Sequence, residues 1–213
     1  MDKELLNIFD REKNPIGVAT REEVHKRGHW HETFHCWFIA HEEGKEYVYL
    51  QIRSDIKKDY PGLLDITAAG HLLANETELD GVREVEEELG ISIAFHELDS
   101  LGIIDYSIEN EWLIDKEFAH VFLYYSSHSF DDFKLQVEEV SGIVRVEFEQ
   151  FASIWTDKTD KIEVEGIHWN RNVEKRSIKR IVTKENFVPH EKSYYEEIIL
   201  GIRRKLSKNQ LSK

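Results

Sequence analysis

The stretch Gly70–Ile91, GHLLANETELDGVREVEEELGI, decides the fold predicted for this 213-residue chain. Within it, Glu84, Glu87 and Glu88 follow the spacing i, i+3, i+4. A helix would therefore carry all three carboxylates on one face, with Cβ atoms about 5–6 Å apart. Like charges at this spacing repel one another unless a cation lies among them. Gly90 stands where a glycine commonly ends a helix. The pattern predicts a short helix with a cation-binding acidic face, and spacing alone leaves a solvated acidic helix as the alternative.

The order of residues in this stretch resembles the Nudix box. In that pattern a glycine and a glutamate precede an Arg-Glu-apolar-any-Glu-Glu-any-Gly-apolar run. The matching residues are Gly70, Glu76, Arg83, Glu84, Val85, Glu87, Glu88, Gly90 and Ile91. Residues 77–82 form a spacer one residue shorter than the family spacer. Nine matches in order are far more specific than a lone glycine motif.

The Nudix resemblance implies a hydrolase that cleaves a diphosphate linkage with Mg²⁺ as its cofactor, or with Mn²⁺ in its place. The metal ligands that it implies are Glu84, Glu87, Glu88 and the Gly70 carbonyl. Arg83 would orient the glutamates, although its spacing fits an ordinary i,i+4 pair with Glu87 equally well. For the general base the resemblance leaves two candidates, Glu84 first and Glu117 second. The expected catalytic residues are therefore Glu84, Glu117 and Arg83.

Outside the box, RGHWHETFHCWFIA, AGHLL and DKEFAHVF resemble the layout of isopentenyl-diphosphate isomerase and its hydrolase relatives. In that isomerase three histidines and two acidic residues bind a divalent metal. The matching residues, a second candidate metal site, are His25, His31, His71, Asp115 and Glu117. The isomerase has a catalytic cysteine before its Gly-His pair, where this chain has Ala69. Its box is also degraded, whereas this box keeps all three helix glutamates. We therefore expect a hydrolase, with an isomerase or a non-catalytic ligand-sensing module as the alternatives.

The composition is that of an ordinary soluble protein, with 40% hydrophobic and 33% charged residues. No stretch approaches the roughly 18 apolar residues of a membrane span. The first residues, MDKELLNIF, lack the pattern of a signal peptide. The single cysteine, Cys36, excludes an internal disulfide and fits a reducing compartment. We therefore expect a cytoplasmic protein without membrane association.

The charge is unevenly distributed along the chain. The formal net charge is −14, yet residues 175–213 carry eleven Lys or Arg residues against four Glu. An acidic body repels the nucleic-acid backbone, so no nucleic-acid partner is expected. We predict that the basic tail is a docked helix rather than an RNA-binding patch. Its apolar residues follow helical spacing: Tyr195, Ile198, Ile199, Ile202 and Leu206.

Hydrophobic alternation and turn residues predict many strands and few helices in the rest of the chain. A hairpin is expected around the DREKN turn, and a second hairpin joins TFHCWFIA to EYVYLQIR through HEEGK. Further predicted strands are Gly62–Ala69, Ile91–Phe95, Leu98–Tyr106, Phe118–Ser126 and Val144–Phe148. Further predicted helices are Arg21–Arg27 (ended by Gly28), Phe148–Ile154, Asn172–Ile181 and Lys192–Lys205.

This arrangement is an α+β fold, in agreement with the α/β/α sandwich and mixed sheet that the Nudix resemblance implies. We expect residues 1–28 to form an N-terminal hairpin extension, 29–155 the core, and 156–213 a C-terminal helical extension packed on that core. The expected partner is a small-molecule diphosphate, either a nucleoside diphosphate derivative or, by analogy with the isomerase, a prenyl diphosphate. The sequence is also compatible with a homodimer.

Overall fold

The computed structural model of this protein describes residues 4–109, 114–169 and 174–211. Within them, eleven strands form one sheet: β1 (Leu5–Phe9), β2 (Pro15–Thr20), β3 (Trp30–Glu42), β4 (Lys45–Arg53), β5 (Leu64–Asp65), β6 (Ala68–His71), β7 (Leu98–Glu109), β8 (Ile114–Tyr125), β9 (Val140–Glu147), β10 (Ile162–Trp169) and β11 (Lys175–Val182). The helices are α1 (Arg21–Arg27), α2 (Arg83–Leu89), α3 (Phe148–Trp155) and α4 (Lys192–Leu211). Short 3₁₀ turns cover Asp80–Val82, Phe95–Glu97 and Lys184–Asn186.

Strand β3 is the centre of the sheet. It pairs in parallel with β8 from Trp30 to Ile39. Its other edge pairs in turn with β1, β6 and β4, all antiparallel. Beyond β4 the sheet continues through β9, β10 and β11. The mixed sheet expected from the sequence is therefore present.

Helices cover both faces of the sheet. Successive side chains of β3 point to opposite sides, so this strand contributes to a buried cluster on each face. Phe34, Cys36 and Phe38 pack in one buried cluster with Val85 and Leu89 of α2. On the other side, Trp37 and Ile39 pack in a second cluster with residues of α3 and α4. The predicted α+β class and α/β/α sandwich are thus confirmed.

The N-terminal segment folds as predicted. Strands β1 and β2 form an antiparallel hairpin, and α1 follows directly. The Thr20 side chain accepts a hydrogen bond from the backbone N–H of Glu23, which caps the start of α1. Gly28 ends the helix with a φ of 65°, a conformation that favours glycine.

The helix predicted over Asn172–Ile181 is wrong. Asn172 and its neighbour lie outside the described residues, and the remainder forms the edge strand β11, paired along its length with β10. The spacing of Ile178, Ile181 and Val182 would fit one face of a helix, so the local pattern does not exclude one. Pairing with β10 overrides it, and β-branched side chains suit a strand. Residues after 155 therefore contribute two strands as well as α4, and the proposed division of the chain into segments remains a prediction.

Two other predicted strands are also corrected. The single strand Gly62–Ala69 is in fact β5 and β6, which pair with β4 and β3 respectively. Between them the Thr67 hydroxyl donates to the Tyr49 carbonyl and accepts from the Phe38 N–H, so one side chain bridges both neighbours. The predicted strand Ile91–Phe95 is not formed: residues 91–94 are irregular, and Phe95 begins a 3₁₀ turn. The Ile91 side chain is buried in the same cluster as Val85 and Leu89 of α2.

The remaining predicted elements are present with slightly different bounds. Helix α4 is docked through its apolar stripe, as expected: Tyr195, Ile198, Ile199 and Ile202 are buried in the core, and Leu206 packs against it. None of the helices described by the structure has the length and apolar character required to cross a membrane.

Docking of α4 can be tested by a paired substitution. We predict that Ile198→Ala lowers the free energy of unfolding by about 2–5 kcal/mol, because Ile198 is fully buried. Leu200→Ala on the same helix should change it by less than about 0.5 kcal/mol, because Leu200 is 49% exposed. Urea denaturation followed by circular dichroism measures both changes, and equal effects would contradict this packing.

Candidate active site

The acidic helix α2 is short and tightly fixed. A 3₁₀ turn, Asp80–Val82, leads into it, and Gly90 ends it with a φ of 67° while donating its N–H to the Glu86 carbonyl. Val85 and Leu89 are buried against the sheet. The face that carries Glu84, Glu87 and Glu88 lines a cleft. The acidic face predicted for this helix is therefore present.

Strand β6 passes close to α2 at Gly70, so a larger residue there would displace the Glu84 side chain. A Cβ atom added to Gly70 would overlap the Glu84 carboxyl group. The next carboxylate, that of Glu88, accepts a hydrogen bond of 3.2 Å from the backbone N–H of Ala69. Glu84 and Glu88 thus lie against the backbone of β6, whereas Glu87 is more exposed, at 56% of its side chain.

Arg83 joins the box residues to one another. Its guanidinium donates to Glu76 at 2.6 and 2.9 Å and to Glu84 at 2.6 Å. A longer bond of 3.3 Å reaches Glu87, and another of 3.0 Å reaches the His71 carbonyl. Arg83 is therefore more than an i,i+4 partner of Glu87. The shortened spacer still allows Glu76 to pair with Arg83.

The two inner carboxylates of α2 have strongly shifted acidities. Burial raises the pKa of Glu84 to about 7, with Arg83 opposing the shift and Glu87 adding to it. Burial and then the charge of Glu84 raise the pKa of Glu88 to about 8. Removing a carboxylate from water disfavours its charged form, and a neighbouring carboxylate adds repulsion. A cation beside these groups would reverse both effects.

The second predicted cluster is assembled from four elements: His25 from α1, His31 from β3, His71 from β6, and Asp115 and Glu117 from β8. We call these five residues the histidine–carboxylate cluster. The Nε2 atoms of His25 and His71 are 3.4 Å apart. Asp115 Oδ1 lies 3.4 Å from His25 Nε2 and 3.5 Å from His31 Nε2. The sequence separation of these residues is bridged by pairing of His31 with Glu117 and of Thr33 with His71.

The chemistry of the histidine–carboxylate cluster fits a divalent metal. Burial, with the neighbouring His31 and Arg21, lowers the pKa of His71 well below its ordinary value, so this imidazole is neutral. A neutral imidazole keeps the lone pair that a metal requires. Among the described residues, His31 Nε2 and Asp115 Oδ1 are buried without a hydrogen-bond partner. Such buried atoms are costly unless something binds them.

Glu117 is held by donors that the sequence did not identify. Its Oε2 accepts from the Thr33 hydroxyl at 2.9 Å and the Tyr106 hydroxyl at 2.7 Å, and lies 3.1 Å from His35 Nε2. Burial alone would raise the pKa of Glu117, but the bond from His35 and the nearby imidazoles hold it well below its ordinary value. Alternation of His31, Thr33 and His35 along β3 was the one available signal, since it places them on one face.

A buried pair of polar side chains, Asp65 and His190, in the same cleft was also missed. His190 Nε2 is 2.9 Å from Asp65 Oδ1, and Arg53 donates to Asp65 Oδ2 at 2.8 Å. Burial alone would raise the pKa of Asp65, but His190 and Arg53 hold it well below its ordinary value. Asp65 and His190 are 125 residues apart in sequence. No spacing motif could have joined them.

One cavity of about 750 Å³ is lined by most of these groups, and His31 lies behind its wall. Its wall includes the α2 carboxylates, members of the histidine–carboxylate cluster, and the cationic side chains Lys57 and Lys58. Most small-molecule sites have volumes of about 300–1,000 Å³. The two predicted metal sites are therefore parts of a single cleft.

The cysteine position of the isomerase is clearly different here. Ala69 lines the cavity. Cys36 is fully buried in the cluster on the α2 side of β3, between Phe34 and Phe38, and burial raises the pKa of its thiol. Cys36 therefore cannot take the place of a cysteine at residue 69.

A family model, two protein sequences and a crystal structure are similar to this chain. The NUDIX domain family model matches residues 29–168. A Clostridium acetobutylicum protein named as an uncharacterized Nudix hydrolase is 37% identical over 202 residues, which cover 95% of this chain and 98% of the relative. Isopentenyl-diphosphate Delta-isomerase 2 of Photorhabdus laumondii is 30% identical over 121 residues, 56% of this chain and 66% of that protein. A crystal structure of a Deinococcus radiodurans protein aligns over 72% of this chain and 90% of that chain, with a TM-score of 0.50 at 18% identity.

The raised pKa of Glu88 predicts that the stability of the protein depends on pH. The ordinary pKa is 4.5 and the folded one about 8, so between these values the folded state holds a proton that the unfolded state has lost. Without metal, the melting temperature should therefore fall as the pH rises from 4.5 to 8. We expect Glu88→Gln to flatten this slope, whereas Glu86→Gln, at an exposed position of the same helix, should keep it. Calorimetry in EDTA over this range is the measurement, and identical slopes in all three proteins would exclude Glu88 as the source.

Proposed function

This chain belongs to the Nudix family and is a hydrolase of phosphorus anhydrides, and on that premise we propose that it cleaves a diphosphate linkage in a small molecule with the help of Mg²⁺ or Mn²⁺. The observation that carries the proposal is the pair of buried carboxylates, Glu84 and Glu88, held against Gly70 inside the cleft. Two neighbouring carboxylates shielded from water are both stable in the ionised form only beside a cation.

Glu84, Glu87, Glu88 and the Gly70 carbonyl are the residues that we propose to hold this metal. All four residues line the cavity. Oxygen ligands suit Mg²⁺ and Mn²⁺. When bound, such a metal supplies charge neutralisation at the phosphate and activation of water.

The chain itself contributes position and proton transfer. Arg83 fixes Glu84 through a 2.6 Å bond and is in turn held by Glu76, so the carboxylate stays aimed at β6. We assign the general base to Glu84, because its carboxylate lines the cavity among the proposed metal ligands, within reach of a water molecule there. Glu117 is the alternative base, since it faces the same cavity.

We propose a second metal site at the histidine–carboxylate cluster. The support is that His31 Nε2 and Asp115 Oδ1, 3.5 Å apart, are buried without a hydrogen bond. His31 also joins two groups, one with His25 and His71 and one with Asp115 and Glu117, and within each group the ligand atoms lie within 4.8 Å of one another. Mixed imidazole and carboxylate ligands suit Mn²⁺.

The proposed substrate is a small diphosphate, either a nucleoside diphosphate derivative or a prenyl diphosphate. Its negative charge would be offset by the bound metal and by Lys57 and Lys58 in the cavity wall. The formal charge of −14 continues to argue against a nucleic-acid partner.

Activity is tested by a substrate panel with matched variants. Nucleoside diphosphate derivatives and prenyl diphosphates are incubated with Mg²⁺, Mn²⁺ or EDTA, and phosphate products are measured. We expect metal-dependent hydrolysis that falls at least 100-fold in Glu88→Gln, a loss on the scale of removing one group that stabilises charge in the transition state. Glu86→Gln should keep wild-type activity, since Glu86 is exposed on the other side of α2.

The same panel separates the alternatives. Allylic product from isopentenyl diphosphate would indicate isomerisation in spite of Ala69. Tight ligand binding with no turnover, unchanged by Glu88→Gln, would instead support a ligand-sensing module.

Metal binding should also raise thermal stability. Mg²⁺ or Mn²⁺ at ten times its Kd stabilises the folded state by about 1.4 kcal/mol, a melting shift of about 3–6 °C for a domain of this size. We expect Glu84→Gln/Glu88→Gln to reduce the Mg²⁺ shift and His31→Gln to reduce the Mn²⁺ shift. His41→Gln is the control, because His41 is exposed and pairs with Glu46. A full Mn²⁺ shift in His31→Gln would remove the second site from the proposal.

A further inference from the structure

Helix α4 lies outside the matched domain, which ends at residue 168, and it contacts His35 in the wall of the cleft. Near its N-terminal end, Tyr194 is buried with its hydroxyl 2.8 Å from His35 Nδ1 and 3.3 Å from Trp37 Nε1. The other ring nitrogen of His35 lies 3.1 Å from Glu117 Oε2. A continuous chain of polar contacts therefore runs from α4 to the carboxylate of Glu117.

The donors and acceptors in this chain have a consistent direction. The indole N–H of Trp37 can only donate, so the Tyr194 oxygen accepts from it. The hydroxyl keeps its own proton, which it can donate in a hydrogen bond to His35 Nδ1. The other ring nitrogen of His35, Nε2, faces Glu117, and an N–H there donates to the carboxylate. Tyr194 and Glu117 thus hold opposite nitrogens of the His35 ring.

The bond from His35 acts together with two others. Thr33 and Tyr106 also donate to Oε2 of Glu117. Three donors on one oxygen fix the rotation of the carboxylate and leave Oε1 for a ligand. Partners that orient a metal-binding carboxylate in this way typically change metal affinity or activity by 10–100-fold when removed.

We propose that Tyr194 and His35 are positioning residues, through which the C-terminal helix orients Glu117 toward the metal of the histidine–carboxylate cluster. The inference rests on the proposed function of that cluster. His35 lines the cavity whereas Tyr194 lies behind it, and the Nudix box contains neither of them. The C-terminal helix therefore completes the active site as well as covering the core.

The matched pair Tyr194→Phe and Tyr195→Phe tests this role. Both tyrosines are buried to the same extent, but the Tyr195 hydroxyl donates to the Val188 carbonyl instead of joining the chain to Glu117. We expect Tyr194→Phe to weaken Mn²⁺ activation or lower kcat by about 10-fold while KM changes less. Tyr195→Phe should stay within about 2-fold of wild type in both. It loses one buried hydrogen bond, whereas Tyr194→Phe loses those to His35 and Trp37. Thermal unfolding records the stability of both.

His35 supplies a second test that does not depend on the tyrosine variants. His35→Gln keeps an N–H donor and should retain more Mn²⁺ affinity than His35→Leu. If Tyr194 acts through His35, then Tyr194→Phe should add less than about a 2-fold effect in the His35→Leu background. Full additivity of the two substitutions would overturn the relay, because residues that act as a unit are not additive.

Mn²⁺ binding measured by calorimetry gives a readout independent of turnover. It is performed in Glu88→Gln, so that the α2 carboxylates contribute less. Weaker binding in Tyr194→Phe but not in Tyr195→Phe supports the inference even if no substrate is hydrolysed, an outcome that would count against the proposed function alone. Equal binding and equal kinetics in the two tyrosine variants overturn the inference and leave the proposed function intact.

Discussion

The parallel register of β3 and β8 is the constraint on which the site depends. Ten consecutive residue pairs, from Trp30–Lys116 to Ile39–Tyr125, fix one strand against the other. Since side chains alternate between faces, a slip of β8 by one residue would turn Asp115 and Glu117 away from His31, to the other side of the sheet. In the observed register His31 lies beside Glu117, on the face that α4 covers. Pairing of β6 with the other edge of β3 adds His71 to the same place.

Electrostatics oppose the fold where the function is proposed to lie. Glu84 and Glu88 are buried together, and their pKa values of about 7 and 8 measure how unfavourable their ionised forms are without a cation. Arg83 offsets part of this cost by pairing with Glu84 and Glu76. The unpartnered atoms of His31 and Asp115 show a similar imbalance. Local rules of stability are broken mainly at such sites, where a ligand completes the structure.

The C-terminal segment has two roles that its basic composition hides. Its apolar stripe packs Tyr195, Ile198 and Ile202 into the core, while Tyr194 and His190 face groups of the cleft. The same element thus stabilises the fold and contacts the polar network beneath the site. Most of its positive charge stays on the exposed face, which explains why a composition count alone suggests a nucleic-acid surface.

The sequence by itself determined the local features whose physics acts within a few residues. The i, i+3, i+4 glutamates and the terminating Gly90 were enough to predict α2 and its acidic face, and the resemblance of this stretch to the Nudix box implied the sandwich. Only the tertiary structure decided that Lys175–Val182 is a strand, because pairing with β10 outweighs the helical spacing of its isoleucines. Likewise, the Asp65–His190 pair and the Tyr194–His35–Glu117 chain join residues separated by as many as 159 positions. Hydrogen bonds of this kind depend on distances that only sheet register and helix docking set, so no local pattern could encode them.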